Sequence, residues 1–333
     1  MAAGTVIMAA MFIRMPPLRA SSVLLALAVS FAPGTALAQT TIKLGAAQTS
    51  VGTLPLLVAK TKGFFAAEGL VVETFDFKGG APTVQALASG SVDVCICAGD
   101  HAVRLRARGL PAKIVAGLTE RHGYALLALA RSPVTNLASM KGRKLGITAP
   151  ASLTDNSIRY SLKQLRLNPD RDLTLAGVGV GIAMKAAVDG GAVDAGMFTT
   201  PDVQAALAET GKYKVVHDYR TVNYTALDLI VLERWLARND RAARGFLRAV
   251  IKAQNLIRND PAALREALHV MYPQFGPAFL DQLVEDVPAS LAVAGVVSEP
   301  GYRTMVAMLG ANEPELLKIL YAEVVTRAYL PAN

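Results

Sequence analysis

The feature that most constrains this chain is an alternation of strand-like and helix-like segments that runs once, stops and starts again. Residues 41–47 (TIKLGAA) read as a strand. Residues 54–68 carry helical spacing through Leu54, Leu57, Val58, Phe64 and Phe65, with Pro55 in the first turn and Gly69 at the end. A β-rich stretch follows at 70–77 and a short helix at 82–88, then an apolar run at 92–98 (VDVCICA) of the kind buried on both faces. Residues 100–108 and 112–118 supply the next helix and strand. Strands alternating with helices predict a parallel sheet with helices on its faces.

The same grammar restarts at 144–148 (KLGIT). Ser152, with Asp155 three residues later, resembles a capping box opening a helix to Leu165. Strands at 173–178, 193–198 and 214–218 then interleave with helices at 182–188 and 201–209. Two stretches align: Ala88-Ser89-Gly90-Ser91-Val92-Asp93 and Asp189-Gly190-Gly191-Ala192-Val193-Asp194. Each has a glycine that ends a helix and a turn into an apolar strand. A unit repeated about a hundred residues apart predicts two similar lobes. Both aspartates are expected to bind backbone in these turns rather than act as paired acids. From Glu233 onward the strand signals stop. Residues 241–258, 261–271, 277–287, 301–309 and 314–327 read as helices, with Asp260, Ser298 and Asn312 as caps or near-caps.

Residues 1–38 read as a secretory signal peptide. Arg14 and Arg19 form the basic region, residues 23–32 (VLLALAVSFA) the apolar core, and Ala36-Leu37-Ala38 the cleavage signature. No cysteine at that site calls for a lipid, and no arginine pair calls for the twin-arginine route, so export to the periplasm through the Sec route is expected. The whole chain of 333 residues carries a formal net charge of +8, and removing those two arginines leaves +6. The basic residues are scattered at helical spacing, with no stripe or module of a nucleic-acid binder. Two cysteines exclude a disulfide-dense scaffold. Cys95 and Cys97 alternate with Val94 and Ile96, so both face one side of a strand; core packing is expected for them rather than a bridge.

Residues 54–69 (LPLLVAKTKGFFAAEG), 87–93 (LASGSVD), 137–147 (LASMKGRKLGI) and 190–194 resemble signature stretches of ABC-transporter substrate-binding proteins. The branch is the one serving nitrate, sulfonates, taurine and the thiamine pyrimidine precursor. The resemblance implies an α/β, two-lobed fold of the periplasmic-binding-protein type II kind, each lobe a mostly parallel sheet flanked by helices, with a helical C-terminal segment. It places lobe 1 at residues 41–124 plus 225–333 and lobe 2 at 125–224. It implies a monomer that closes on a small solute and delivers it to the membrane permease subunits. Fungal pyrimidine-precursor synthases resemble this family but carry a Cys-rich motif and a cofactor lysine. No such cysteine run occurs here, so no enzymatic activity and no cofactor are expected.

In open parallel sheets ligands bind beyond the carboxyl ends of the strands. The turns there give the candidate ligand-binding residues: Gln48, Thr49, Ser50, Gly80, Asp100 and His101 in lobe 1, and Ser152, Thr154, Thr199 and Thr200 in lobe 2. Arg121, His122 and Tyr124 lie at one expected chain crossing and Tyr224 at the other. Arg121 offers a forked donor to a carboxylate or sulfonate. Helix N-termini at these turns favour an anion, so the expected ligand is a small organic anion, with a neutral pyrimidine-like heterocycle as the alternative. A receptor-docking sensor on the same fold is the other alternative. Gly177, Gly179 and Gly181 fail the dinucleotide fingerprint because Met184 holds its third glycine position. No His/Cys/carboxylate spacing suits a metal.

Overall fold

The structure is a computed structural model that describes residues 39–77 and 79–332. The expected signal peptide therefore lies outside the described residues. Two five-stranded mixed sheets organise the rest. The first contains β1 (Thr40–Ala46), β2 (Leu70–Asp76), β3 (Val94–Cys97), β4 (Ala112–Arg121) and β10 (Asn223–Leu232), in the order β2-β1-β3-β10-β4. The second contains β5 (Tyr124–Leu129), β6 (Lys144–Ile147), β7 (Thr174–Gly177), β8 (Ala195–Thr199) and β9 (Tyr213–Asp218), in the order β7-β6-β8-β5-β9. We refer to the lobe built on each sheet as the first and second lobe.

In each sheet one strand runs against the other four. In the first it is β10, antiparallel to β3 and β4. In the second it is β5, antiparallel to β8 and β9. These are the strands that begin where the chain enters a sheet from the other lobe. β4 passes into β5 through His122 and Gly123, and β9 into β10 through residues 219–222. The sequence reading gives β5 and β10 only as chain crossings and names neither as a strand, although the last strand does end just before Glu233. β10 (NYTALDLIVL) is apolar apart from Asn223, Thr225 and Asp228 and is buried from Tyr224 onward, which fits a strand covered on both faces.

The helices cover both sheets. α1 (Leu54–Thr61) and α2 (Phe64–Ala67) replace the single helix expected over 54–68. Gly63 breaks it by taking φ +73°, a conformation that costs a glycine nothing. α3 (Gly80–Ser89) and α4 (Asp100–Ala107) flank the first sheet; α5 (Leu153–Gln164), α6 (Ile182–Asp189) and α7 (Asp202–Ala208) flank the second. The tail comprises α8 (Glu233–Leu236), α9 (Asp240–Asn259), α10 (Pro261–Met271), α11 (Pro277–Asp286), α12 (Glu299–Gly310) and α13 (Tyr321–Val324). Asp260 caps α10 by accepting from the amides of Ala262 and Ala263, and Ser298 caps α12 through Gly301 N–H. The expected last helix over 314–327 is instead a 3-10 turn and the four-residue α13.

The repeated turn has a structural cause. Asp93 accepts the amide of Lys43 at 2.8 Å, and Asp194 accepts the amide of Lys144 at 2.9 Å. Each aspartate thus fastens the start of its own strand to the start of the neighbouring one. The register extends the repeat to Lys43-Leu44-Gly45 and Lys144-Leu145-Gly146. A Cβ on Gly45 would stand 3.0 Å from Thr83, and one on Gly146 would stand 2.8 Å from Met184. Helices lie that close over both strands.

Cys95 and Cys97 correct the expectation of plain packing: they are bonded to each other. The alternation that puts both sulfurs on one face also leaves their Cα atoms 5.8 Å apart, inside the usual disulfide range. The expected Ser152–Asp155 capping box does not form, because neither side chain takes the other's amide. Asp155 accepts the amide of Ala151, while the Ser152 hydroxyl donates to Ala149 C=O. Among the described residues no helix is long and apolar enough to cross a membrane.

Candidate functional site

Strand ends from both sheets converge at the crossings. β1 ends at Ala46, and Gln48 and Ser50 lead into a 3-10 turn continuous with α1. β4 delivers Arg121; β8 delivers Thr199, followed by Thr200 and the cis Thr200–Pro201 bond before α7. Between them lies a cavity of about 510 Å³, within the range of small-molecule sites. Gln48, Ser50, Val51, Gly52 and Thr119 wall it from the first lobe, and Thr199, Thr200 and Gln204 from the second. Arg121 to Tyr124 and the Asp218–Thr221 region line it from the crossings, and the end of α11 (Asp286, Val287, Ala289, Ser290) closes one side. Gly52 is required here, because a Cβ would stand 2.8 Å from both Leu227 and Thr119.

A smaller chamber of about 40 Å³ adjoins the cavity and shares Gln48, Tyr124, Ala226 and Leu227 with it. Gly79, Gly80, Cys97, His101, Thr148 and Ser152 complete its wall. The Tyr124 hydroxyl donates to Gln48 Oε1, so this pair partitions the two spaces. Burial raises the Tyr124 pKa, which keeps the phenol protonated as a donor. Gly80 makes room for His101: a Cβ there would stand 2.4 Å from its Nε2. Burial lowers the His101 pKa, so the ring is neutral, and its buried Nε2 has no partner.

The cations differ in availability. Arg220 forks onto Asp218, with Nε to Oδ1 at 3.0 Å and Nη2 to Oδ2 at 2.7 Å. Arg121 is exposed, donates to Thr221 C=O at 2.9 Å and forms no ion pair among the described residues. Its remaining donors are free for an anion.

His122 has a different place from the one its titratable ring suggested. It is fully buried, with Nε2 2.8 Å from Ser157 Oγ and Nδ1 accepting the Tyr124 amide at 3.3 Å. That acceptance assigns the ring proton to Nε2, which donates to Ser157. Its ring stacks on Tyr219 at 4.8 Å and meets Tyr224 edge-on at 5.3 Å. Burial, reinforced by His217, pushes its pKa down to about 3. A neutral imidazole thus joins the two crossings as a packed strut.

Four sequence-derived candidates do not line either space, and the reasons are local. Thr49 is exposed, on the outer side of a turn whose neighbours Gln48 and Ser50 supply the lining. Tyr224 is consumed by the His122 stack. Thr154 accepts the Thr148 amide at 2.9 Å and closes the turn after β6. Asp100 accepts from Arg104 Nη1 at 2.9 Å and from Asn156 Nδ2. Arg104 in turn reaches Asn156 Oδ1, Ala151 C=O and Glu313, which fastens α4 to α5 between the lobes. Gln48, Ser50, Gly80, His101, Arg121, His122, Tyr124, Ser152, Thr199 and Thr200 are brought together. Sequence reasoning missed Gln204, Asp218, Arg220 and Asp286. The Asp218-x-Arg220 spacing at the second crossing was a usable signal; nothing in the sequence joins Gln204 to Asp286. Among the described residues no cluster of three or more His, Cys, Asp or Glu side chains could hold a metal.

Residues 51–264 match the family described as NMT1/THI5 like, well over half of the chain. The chain belongs to this family. A curated relative, 4-amino-5-hydroxymethyl-2-methylpyrimidine phosphate synthase THI13 of Saccharomyces cerevisiae, is 26% identical over 224 residues. The match covers 62% of this chain and 64% of that protein, less than two thirds of its length. A solved structure from Bordetella bronchiseptica RB50 superposes with a TM-score of 0.76 at 26% identity, covering 87% of this chain and 96% of that one. The alkanesulfonate-binding protein SsuA from Xanthomonas axonopodis pv. citri, bound to MOPS, gives a TM-score of 0.71 at 19% identity and covers 87% and 100%. The fold is therefore that of periplasmic binding proteins. One expectation is overturned: the absence of a cysteine run excluded enzymatic activity, yet curated relatives at 26% and 25% identity are named as synthases.

Proposed function

We propose that this chain captures a small organic anion in the cavity between its lobes and presents it, in the periplasm, to the permease subunits of an ABC importer. The observation that carries the reading is the cavity of about 510 Å³ built from both lobes and both crossings, with Arg121 uncommitted at its wall. A cleft shared by two lobes couples occupancy to closure, because a bound solute adds contacts that only the closed form makes. Arg121 would take the anionic group by a forked pair of bonds. Ser50, Thr199 and Thr200 would supply hydroxyls, and Leu227, Ala226 and Val287 the apolar wall.

The name of the yeast relative supports a second reading, chemistry on a pyrimidine precursor held in the same cleft. One experiment addresses both. Thermal shifts are measured with nitrate, alkyl and aryl sulfonates, carboxylates and pyrimidines, and each mixture is then assayed by mass spectrometry for altered ligand. A ligand at a hundred times its dissociation constant stabilises by about 2.7 kcal/mol. A shift with an anion recovered unaltered supports capture. A shift with a pyrimidine that is consumed supports the second reading. A folded chain that shifts with no anion rejects the first.

A further inference from the structure

The wall between the cavity and the chamber is made by two side chains from different lobes. Gln48 follows β1 in the first lobe, and Tyr124 opens β5 in the second. The Tyr124 hydroxyl donates to Gln48 Oε1, and both residues line both spaces. The two halves of the wall differ in freedom. Tyr124 is fixed: its amide donates to His122 Nδ1, its carbonyl accepts the Tyr219 amide, and its ring meets His122 edge-on at 5.9 Å. Gln48 lies half-buried in the loop after β1.

The surfaces on the two sides of this pair also differ. Arg121, the uncommitted cation, stands at the exposed end of β4 on the cavity side. Ala226 and Leu227 line the cavity and the chamber alike, so an apolar surface leads up to the pair. The chamber's hydroxyls are spent close to home. Thr148 Oγ1 lies 2.8 Å from Ser152 Oγ and 2.9 Å from Thr154 Oγ1, and Ser152 donates to Ala149 C=O. An anion seated on Arg121 therefore sends its apolar remainder along Ala226 and Leu227 toward Gln48 and Tyr124.

Each methylene of that remainder gains about fourfold in affinity while apolar wall covers it. A chain long enough to reach the pair must part Tyr124 from Gln48. A buried polar group left without a partner loses about 5- to 150-fold, so the loss exceeds what one more methylene gains. Resting on the capture reading above, we infer that the Gln48–Tyr124 bond sets the length of ligand the site accepts: chains that end before the pair are admitted and longer ones are turned away.

Calorimetry on the purified chain tests this with the unbranched alkanesulfonates and alkanoates of two to eight carbons. Affinity should climb about fourfold per carbon and then break, levelling or falling at the length that meets the pair. Gln48→Ala removes the movable half of the wall and should carry the break at least one carbon further. Gln48 lies in a loop, so its substitution leaves the fold intact and the test does not depend on altering the buried tyrosine. A merely structural role for Gln48 would weaken every member alike and leave the break where it was. A series without a break, or a break that Gln48→Ala does not move, overturns the inference and leaves the anion reading standing. Silence from both series overturns the inference, and silence from nitrate and aryl sulfonates as well overturns the capture reading with it.

Discussion

Asp202 gives a test that needs no ligand. Its carboxyl sits in the first turn of α7, where burial pushes the pKa from 3.8 up to about 6. At 1.36 kcal/mol per pKa unit, that gap corresponds to about 3 kcal/mol. The helix dipole opposes it, favouring the ionised form at this position by about 0.3–1 kcal/mol. Asn at this position loses that smaller term. The fold prefers the protonated acid, so between about pH 4 and pH 6 the native chain holds a proton that the unfolded chain has released. Stability from this group is fully present below the unfolded pKa and is lost as pH rises through the native one. Asp202→Asn cannot ionise and escapes the loss. The variant should melt near the wild-type temperature at pH 4 and about 3 °C above it at pH 7.5, for a net gain of about 2 kcal/mol. Thermal melts across that range decide the matter. A difference that stays constant with pH, or a variant that melts lower at pH 7.5, refutes the claim that burial governs this carboxyl.

Other consequences follow from the same geometry. The His122 ring, held neutral with a pKa pushed down to about 3, should show no proton titration between pH 5 and 8 in its NMR shifts. Its stabilising contribution is fully present above the unfolded pKa near 6.5 and is lost progressively as pH falls from there through about 3. Arg104→Ala should lower the urea midpoint by the equivalent of about 3–5 kcal/mol, because it strands Asp100 in the interior between α4 and α5. Asp93→Ala and Asp194→Ala should each cost about 1–3 kcal/mol in denaturant melts, since each removes one charge-assisted bond to a strand-opening amide, with Asp194 losing in addition its half-exposed pair with Arg143. A cost for only one of them would contradict the equivalence of the two turns.

Local sequence determined eight of the ten strands, most of the helices and the doubling of the unit. Gly90 and Gly191, with φ of +81° and +72°, act within a few residues of themselves, which is why their turns were legible. The carboxyl ends of strands were equally legible, and they led to Gln48, Ser50, Arg121 and Thr199. What fell to the tertiary structure was everything that depends on a distant partner. β10 is a strand because β3 and β4 flank it; taken alone, its apolar run fits a buried strand or a buried helix. His122 and Asp100 are polar residues at strand ends, as expected of ligand contacts. Ser157 and Tyr219 occupy one, and Arg104 and Asn156 the other. Gln204 and Asp286 stand 82 positions apart and meet only because the lobes do. Periodicity and capping act over a few residues and can be read in order along a chain, whereas which polar group is left without a partner is fixed only when both lobes are in place.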